Sequence, residues 1–206
     1  MPSKTGHSAA AQKILDIAEQ LVQTRGFNGF SYADIAKELD VTKASLHYHF
    51  PSKEVLGRAL IERYEEVFDR ELEAIRQQSS RALERLRRYM NLYDAVMRND
   101  RVCLCGMLAA EYVTLPAPMQ NELRRFFKSN ERWLAAVLEE GRRTGNLSFK
   151  GSAQERAGVL LGALEGTMLV ARSYSDNRVF RSTAKRLLAD LTKNSTVNSS
   201  SSERRR

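Results

Sequence analysis

Lys43 and Lys53, the pair His47 and His49, the pair Cys103 and Cys105, and the carboxylates Glu111 and Glu165 are the side chains whose types and spacing could do chemistry. From Val41 to Lys53 there are two lysines and no acid, a local pattern that suits a polyanion. Histidines two apart point to different sides of a helix. With three histidines in the chain, no metal site is expected. The Cys-Leu-Cys spacing is not the C-x-x-C redox pattern and finds no zinc partners, and the two cysteines are too close for an ordinary structural bridge. There is no G-x-S-x-G, no H-E-x-x-H and no phosphate-binding glycine loop, so neither an enzyme nor a cofactor is expected.

The lysines are positioned by a repeated helix-start signal. Ser31 is a helix N-cap with Asp34 three residues on, where a capping box wants an acid, and Phe30 can staple to Ile35. Thr42 is the next cap, with Val41 and Leu46 as its staple, and Ser52 after Pro51 opens another helix. Two short capped helices around Asp40-Val41-Thr42 match a helix-turn-helix, whose second helix enters the major groove of DNA. Thr42 would cap that helix and contact a phosphate. Lys43, in its first turn, is the candidate for a base edge, guanine O6/N7. Ala44 would allow close approach to a thymine methyl, and Lys53 is expected as a phosphate clamp. Ala36 lets the two helices cross closely, and Leu39, Val41, Leu46 and Phe50 are expected to fill the space beneath.

Overall basicity adds little to this. The net charge of +8 is mostly C-terminal: residues 1–63 hold eight Lys/Arg against seven Asp/Glu, whereas residues 151–206 hold ten against five. Hydrophobic residues make up 42%, enough for a core. No run approaches the ~18 apolar residues of a membrane span, and the N-terminus lacks the apolar stretch of a signal peptide. No membrane is expected as a partner. The cytoplasm, with association with the nucleoid, is the expected compartment.

Helical periodicity runs throughout and no strand-like alternation of useful length occurs. The expected fold is all-α, about nine helices in all. Residues 1–51 are read as the DNA-binding head, 52–193 as a ligand-binding and dimerisation body, and 194–206 as a disordered tail rich in serine and arginine. Val102–Val113 is apolar nearly all round and is expected as one central helix, stopped by Pro116 and Pro118, with the next helix from Gln120. Gly158, Gly162 and Gly166 recur every four residues, which lets helices approach closely. With Leu161, Glu165, Leu169, Leu187 and Leu191 they outline a homodimer interface built as a four-helix bundle between subunits. Met90, Tyr93, Met97, Cys103, Met107, Tyr112, Phe126, Trp133 and Met168 are adaptable or aromatic side chains that could line an effector pocket or pack as core. Glu111 and Glu165 each interrupt an apolar helix and need a partner, a base such as Arg172 or a cationic ligand. Arg172 could instead await an acidic effector.

The order Gly26-Phe27, Ser31-Tyr32-Ala33-Asp34-Ile35-Ala36, Val41 to Phe50 with Tyr48-His49-Phe50, and Ser52-Lys53-Glu54 resembles the TetR/AcrR regulators over residues 8–60. The resemblance implies a homodimeric repressor whose two heads grip a near-palindromic operator in double-stranded DNA and whose body binds a small-molecule effector. It also implies that His47, Tyr48 and His49 lie along the DNA backbone, with Ser31 and Tyr32 at the start of the preceding helix. The alternative for Tyr48 is a packed aromatic of the head. Cys103–Met119 resembles the corresponding part of NemR-type members, which sense electrophiles through cysteine. Such sensors carry a lysine on the eighth helix where this chain has Arg172. Two further readings therefore stand beside the ligand-responsive repressor: a thiol switch at Cys103, and an architectural DNA binder without an effector.

Overall fold

The computed structural model describes residues 7–192, so the tail expected to be disordered lies outside the described residues. Among them the chain forms nine α-helices and a short 3₁₀ turn with no strand, and the all-α expectation holds. The helices are α1 (Ala9–Arg25), α2 (Tyr32–Leu39), α3 (Lys43–His49), α4 (Lys53–Gln78), α5 (Ala82–Met97), α6 (Leu104–Ala110), α7 (Ala117–Arg143), α8 (Ala153–Ser173) and α9 (Arg178–Asp190). By contact they gather into two compact units. One is the chain up to Ala74 with Tyr93–Ser129; the other is Ile75–Leu92 with the chain from Asn130.

In the first unit, local signals set the helix ends. The Ser31 hydroxyl accepts from the Ala33 amide, and the Asp34 carboxylate accepts from the Ser31 amide at 2.7 Å, closing the capping box. The Thr42 hydroxyl accepts from the Ser45 amide at 3.2 Å. Asp40 turns the chain between α2 and α3 with φ +52, a left-handed conformation that Asp tolerates better than most residues. Ile14, Leu15, Ala18 and Val22 of α1 are buried, as are Ile35, Ala36, Leu46 and Phe50, and α2 contacts both α1 and α3. Arg63 of α4 reaches both Asp16 and Glu19 of α1 at 2.6 Å. Val41 departs from expectation. It is 41% exposed, whereas Leu46 and Phe50 are each 1% exposed.

The Ser31 hydrogen bonds hold the Asp34 carboxyl below its ordinary range, first through the hydroxyl and then through the backbone amide. A depressed folded-state pKa contributes stability that is present above the ordinary carboxylate range and lost as pH falls through the folded value. Asp34→Asn should therefore lower the melting temperature at neutral pH. Circular-dichroism melts repeated in acid should show the gap to wild type closing.

The central segment also differs from expectation. α6 stops at Ala110, Glu111 follows at φ −105, and Tyr112–Thr114 forms the 3₁₀ turn. The carboxylate of Glu111 is bonded to backbone far away in sequence, so the residue ends the helix instead of interrupting it. α7 then starts at Ala117, ahead of the expected Gln120. Pro118 sits in its first turn, where a missing N–H leaves no helical bond unmade.

The second unit is built on α8 and α9, which pair extensively. Its buried Tyr89 stacks on Trp133 at 5.4 Å and donates to Asn130 Oδ1 at 3.2 Å. Gly141 allows a close approach: a Cβ there would lie 2.4 Å from Leu147 and 2.7 Å from the Ala82 Cβ. No helix among the described residues is long and apolar enough to cross a membrane.

Candidate nucleic-acid interface

Helix α3 is held from beneath by Leu46 and by Phe50 just beyond its end, each 1% exposed. Thr42, Lys43, Ala44 and Ser45 at its start, with His47 and Tyr48 further on, are exposed. Tyr48 is 83% exposed, so its ring is a surface group and not a core aromatic. It meets His49 edge-on, ring centres 5.1 Å apart, and His49 is half-buried. No acid lies in the first turn of α3. The helix thus presents free amides, a lysine and small side chains at its positive end, the arrangement a phosphate backbone and base edges require.

Two of the residues expected on DNA are committed elsewhere. Tyr32 is buried, and its hydroxyl donates to the Phe50 carbonyl at 2.7 Å. Burial pushes its pKa up to about 12. Its ring lies 4.7 Å from that of His47, whose Nδ1 is 3.2 Å from the Pro51 carbonyl. Tyr32 thus ties the start of α2 to the end of α3. Tyr32→Phe should cost about 1 kcal/mol in urea unfolding, with the salt dependence of DNA binding unchanged.

Lys53 is half-buried at the start of α4. Its ammonium donates to the carbonyls of Phe27, at 2.5 Å, and Phe30. Nothing in the sequence marked those carbonyls, which belong to the Gly-Phe-Asn-Gly-Phe run of residues 26–30. Ser31 stays exposed at the head of α2, its hydroxyl engaged with Asp34.

The expected pocket residues divide between the units. In the first, Tyr93 and Phe126 meet through Phe68, and Tyr64 donates to the Cys103 sulfur at 3.6 Å. Met97, Cys103 and Cys105 are buried there and Met107 is half-buried. Tyr112 lies at the surface turn with the Arg124 guanidinium over its ring. Glu111 is no pocket acid, because its carboxylate accepts from the Phe27 amide at 2.6 Å and from the Asn28 amide. In the second unit Met90 and Met168 are buried, Trp133 and Glu165 half-buried and Arg172 exposed. Among the described residues no group of His, Cys, Asp and Glu could hold a metal ion.

The expected dimer residues also divide. Leu161 and Leu191 are buried within their own chain, on or just beyond the paired helices α8 and α9. Gly158 turns inward, where a Cβ would lie 3.1 Å from the Glu131 carboxylate. Gly162 and Gly166 face open space. Leu169 is exposed beside Val159, Val170 and Tyr174, and Leu187 is half-buried.

A small helical head with an exposed, capped recognition helix defines a helix-turn-helix DNA-binding protein. Comparison with known proteins makes the class specific. Residues 14–60 match the model for bacterial regulatory proteins of the tetR family, and residues 82–187 match the tetracyclin repressor-like C-terminal domain. The solved structure of a TetR-family transcriptional regulator from Agrobacterium tumefaciens is 34% identical, with a TM-score of 0.86 over 89% of this chain and 97% of that one. A TetR transcriptional regulator from Legionella pneumophila is 31% identical, with a TM-score of 0.82 over 91% and 100%. The HTH-type transcriptional repressor NemR of Escherichia coli (strain K12) is 28% identical over 165 residues, 78% of this chain and 83% of that protein. The chain belongs to the TetR family: it is a DNA-binding transcriptional regulator and not an enzyme.

Proposed function

We propose that this regulator is a cytoplasmic homodimeric repressor that grips a near-palindromic operator with two copies of α3 and is released by a small-molecule effector. The observation that carries the DNA step is the exposure of Thr42–Ser45, His47 and Tyr48 above the buried anchors Leu46 and Phe50. Residues 1–51 act as the head and 52–193 as the body. The dimer forms through the open face of α8 at Val159, Gly162, Gly166, Leu169 and Val170, an apolar strip on a helix whose other side is already buried. Twofold symmetry would set half-sites ~34 Å apart, or at a multiple of one helical turn.

Release requires two packings of the body, of which the effector binds one better. The aromatic group of Tyr64, Phe68, Tyr93 and Phe126 in the first unit offers an apolar, aromatic environment for an uncharged ligand. Burial of both thiols, with 1% and 0% exposure, supports a packing role over a reactive thiolate, which needs access.

Selection of bound sequences from a random DNA pool tests the reading. A repressor of this kind enriches a near-palindrome, and its binding weakens steeply with salt. Recovery of unrelated sequences at equal affinity would instead identify an architectural binder.

A further inference from the structure

The loop between α1 and α2 is held on its two polar sides by opposite charges. The Glu111 carboxylate accepts from the Phe27 amide at 2.6 Å and from the Asn28 amide at 3.2 and 3.3 Å. Asn28 Nδ2 adds a bond to Thr114 Oγ1 at 2.8 Å. On the other side the Lys53 ammonium donates to the Phe27 and Phe30 carbonyls, with the ring centres of the same two residues 4.8 and 4.3 Å away. Phe27 thus gives its N–H to the anion and its C=O to the cation. The fit is tight. A Cβ at Gly26, whose φ is +85, would lie 2.8 Å from Glu111 Oε1, and one at Gly57 would lie 2.9 Å from the Phe27 ring. The loop runs directly into Ser31, the cap of α2.

A lysine in this state is poorly suited to hold a phosphate. Two of its three donors are spent on carbonyls, and its position over two rings adds cation–π attraction. Burial pushes the ammonium down from its ordinary pKa, and the charges of Glu111 and Asp34 oppose that shift. Reaching the DNA would break all of these contacts. A cation at a helix start opposes the helix dipole, and here the loop carbonyls offset that cost.

We infer that Lys53 and Glu111 are positioning residues for operator binding: together they fix the Gly26–Phe30 loop, and with it the setting of α2 and α3, without touching DNA. The inference rests on the DNA-binding reading of α3. Its new content is that affinity depends on an anion beside α6 and a cation on α4 that share one peptide unit.

The test uses the full chain and a duplex selected from a random pool by the wild-type protein, with affinity measured across a KCl series. Lys53→Met and Glu111→Gln should each lower affinity about tenfold at every salt concentration, with the slope of log K against log[salt] unchanged. The double variant should lose less than the two losses combined. Hydrogen exchange should show faster amides at residues 26–30 in Glu111→Gln, with α1 still protected. A slope shallower by about 0.9 for each head in Lys53→Met is the signature of a lost phosphate contact and would overturn the inference. So would wild-type affinity in Glu111→Gln. If Lys53→Met does not fold, Glu111→Gln decides through affinity and exchange together. A wild-type protein that selects no duplex would defeat the DNA reading itself.

Discussion

Gly162→Glu is expected to leave the protomer folded, convert the protein to a monomer and lower operator affinity by about 10²–10⁴-fold. A Cβ at Gly162 meets nothing within 4 Å among the described residues, so the substitution introduces no clash with them. Glutamate is also a better helix former than glycine, by up to about 1 kcal/mol, so the protomer should melt no lower on that account. In the dimer two new carboxylates would enter a close helix–helix contact between apolar residues, where an unpaired charge costs several kcal/mol. Operator binding then suffers because each head must bind alone and the gain from linking two half-sites is lost. Analytical ultracentrifugation with a melt on the same sample separates loss of dimer from loss of fold. A Gly162→Glu protein that stays dimeric and holds its operator would place the interface elsewhere.

The same glycines show what the sequence could and could not disclose. A four-residue step on an α-helix overshoots a full turn by about 40°, so three glycines at that spacing fan across about 80° of one face and the two ends of the row can meet different surroundings. Gly158 has rotated to the inside against Glu131, while Gly162 and Gly166 look out. Leu161 and Leu191 illustrate a related limit. α8 is apolar on several stripes, and periodicity cannot distinguish the stripe that meets α9 from the one left open. The helix starts at Ser31, Thr42 and Ser52, by contrast, were fully legible, because a cap is made by residues within three positions of each other. Lys53 and Glu111 were legible as unusual but not as to their use. Their partners are backbone groups of residues 27–30, with Glu111 84 positions beyond Phe27 in sequence, and a backbone carbonyl or amide leaves no mark in the sequence. The small net charge of the N-terminal segment, eight Lys/Arg against seven Asp/Glu over residues 1–63, says little about DNA, since the informative feature is the acid-free start of one short helix.

That end of α3 leads to the second large effect. Lys43→Ala should erase the preference for one base at a fixed place in each half-site, while binding to unrelated DNA persists. Lys43 is exposed in the first turn of a helix whose anchors lie behind it, at Leu46 and Phe50, so its removal disturbs no packing. A lysine that reads guanine O6/N7 is worth about 1–3 kcal/mol of discrimination, roughly 5–150-fold between the right and wrong base at that position. Two heads make the change twice in a palindrome. A lysine used only on phosphate would behave otherwise: affinity for every sequence would fall together, and the salt slope would become shallower by about 0.9 per contact. Selecting DNA with the variant and repeating the KCl titration on the wild-type operator distinguishes the two roles. An unchanged selected motif would remove Lys43 from base recognition and shift that role to its exposed neighbours on α3.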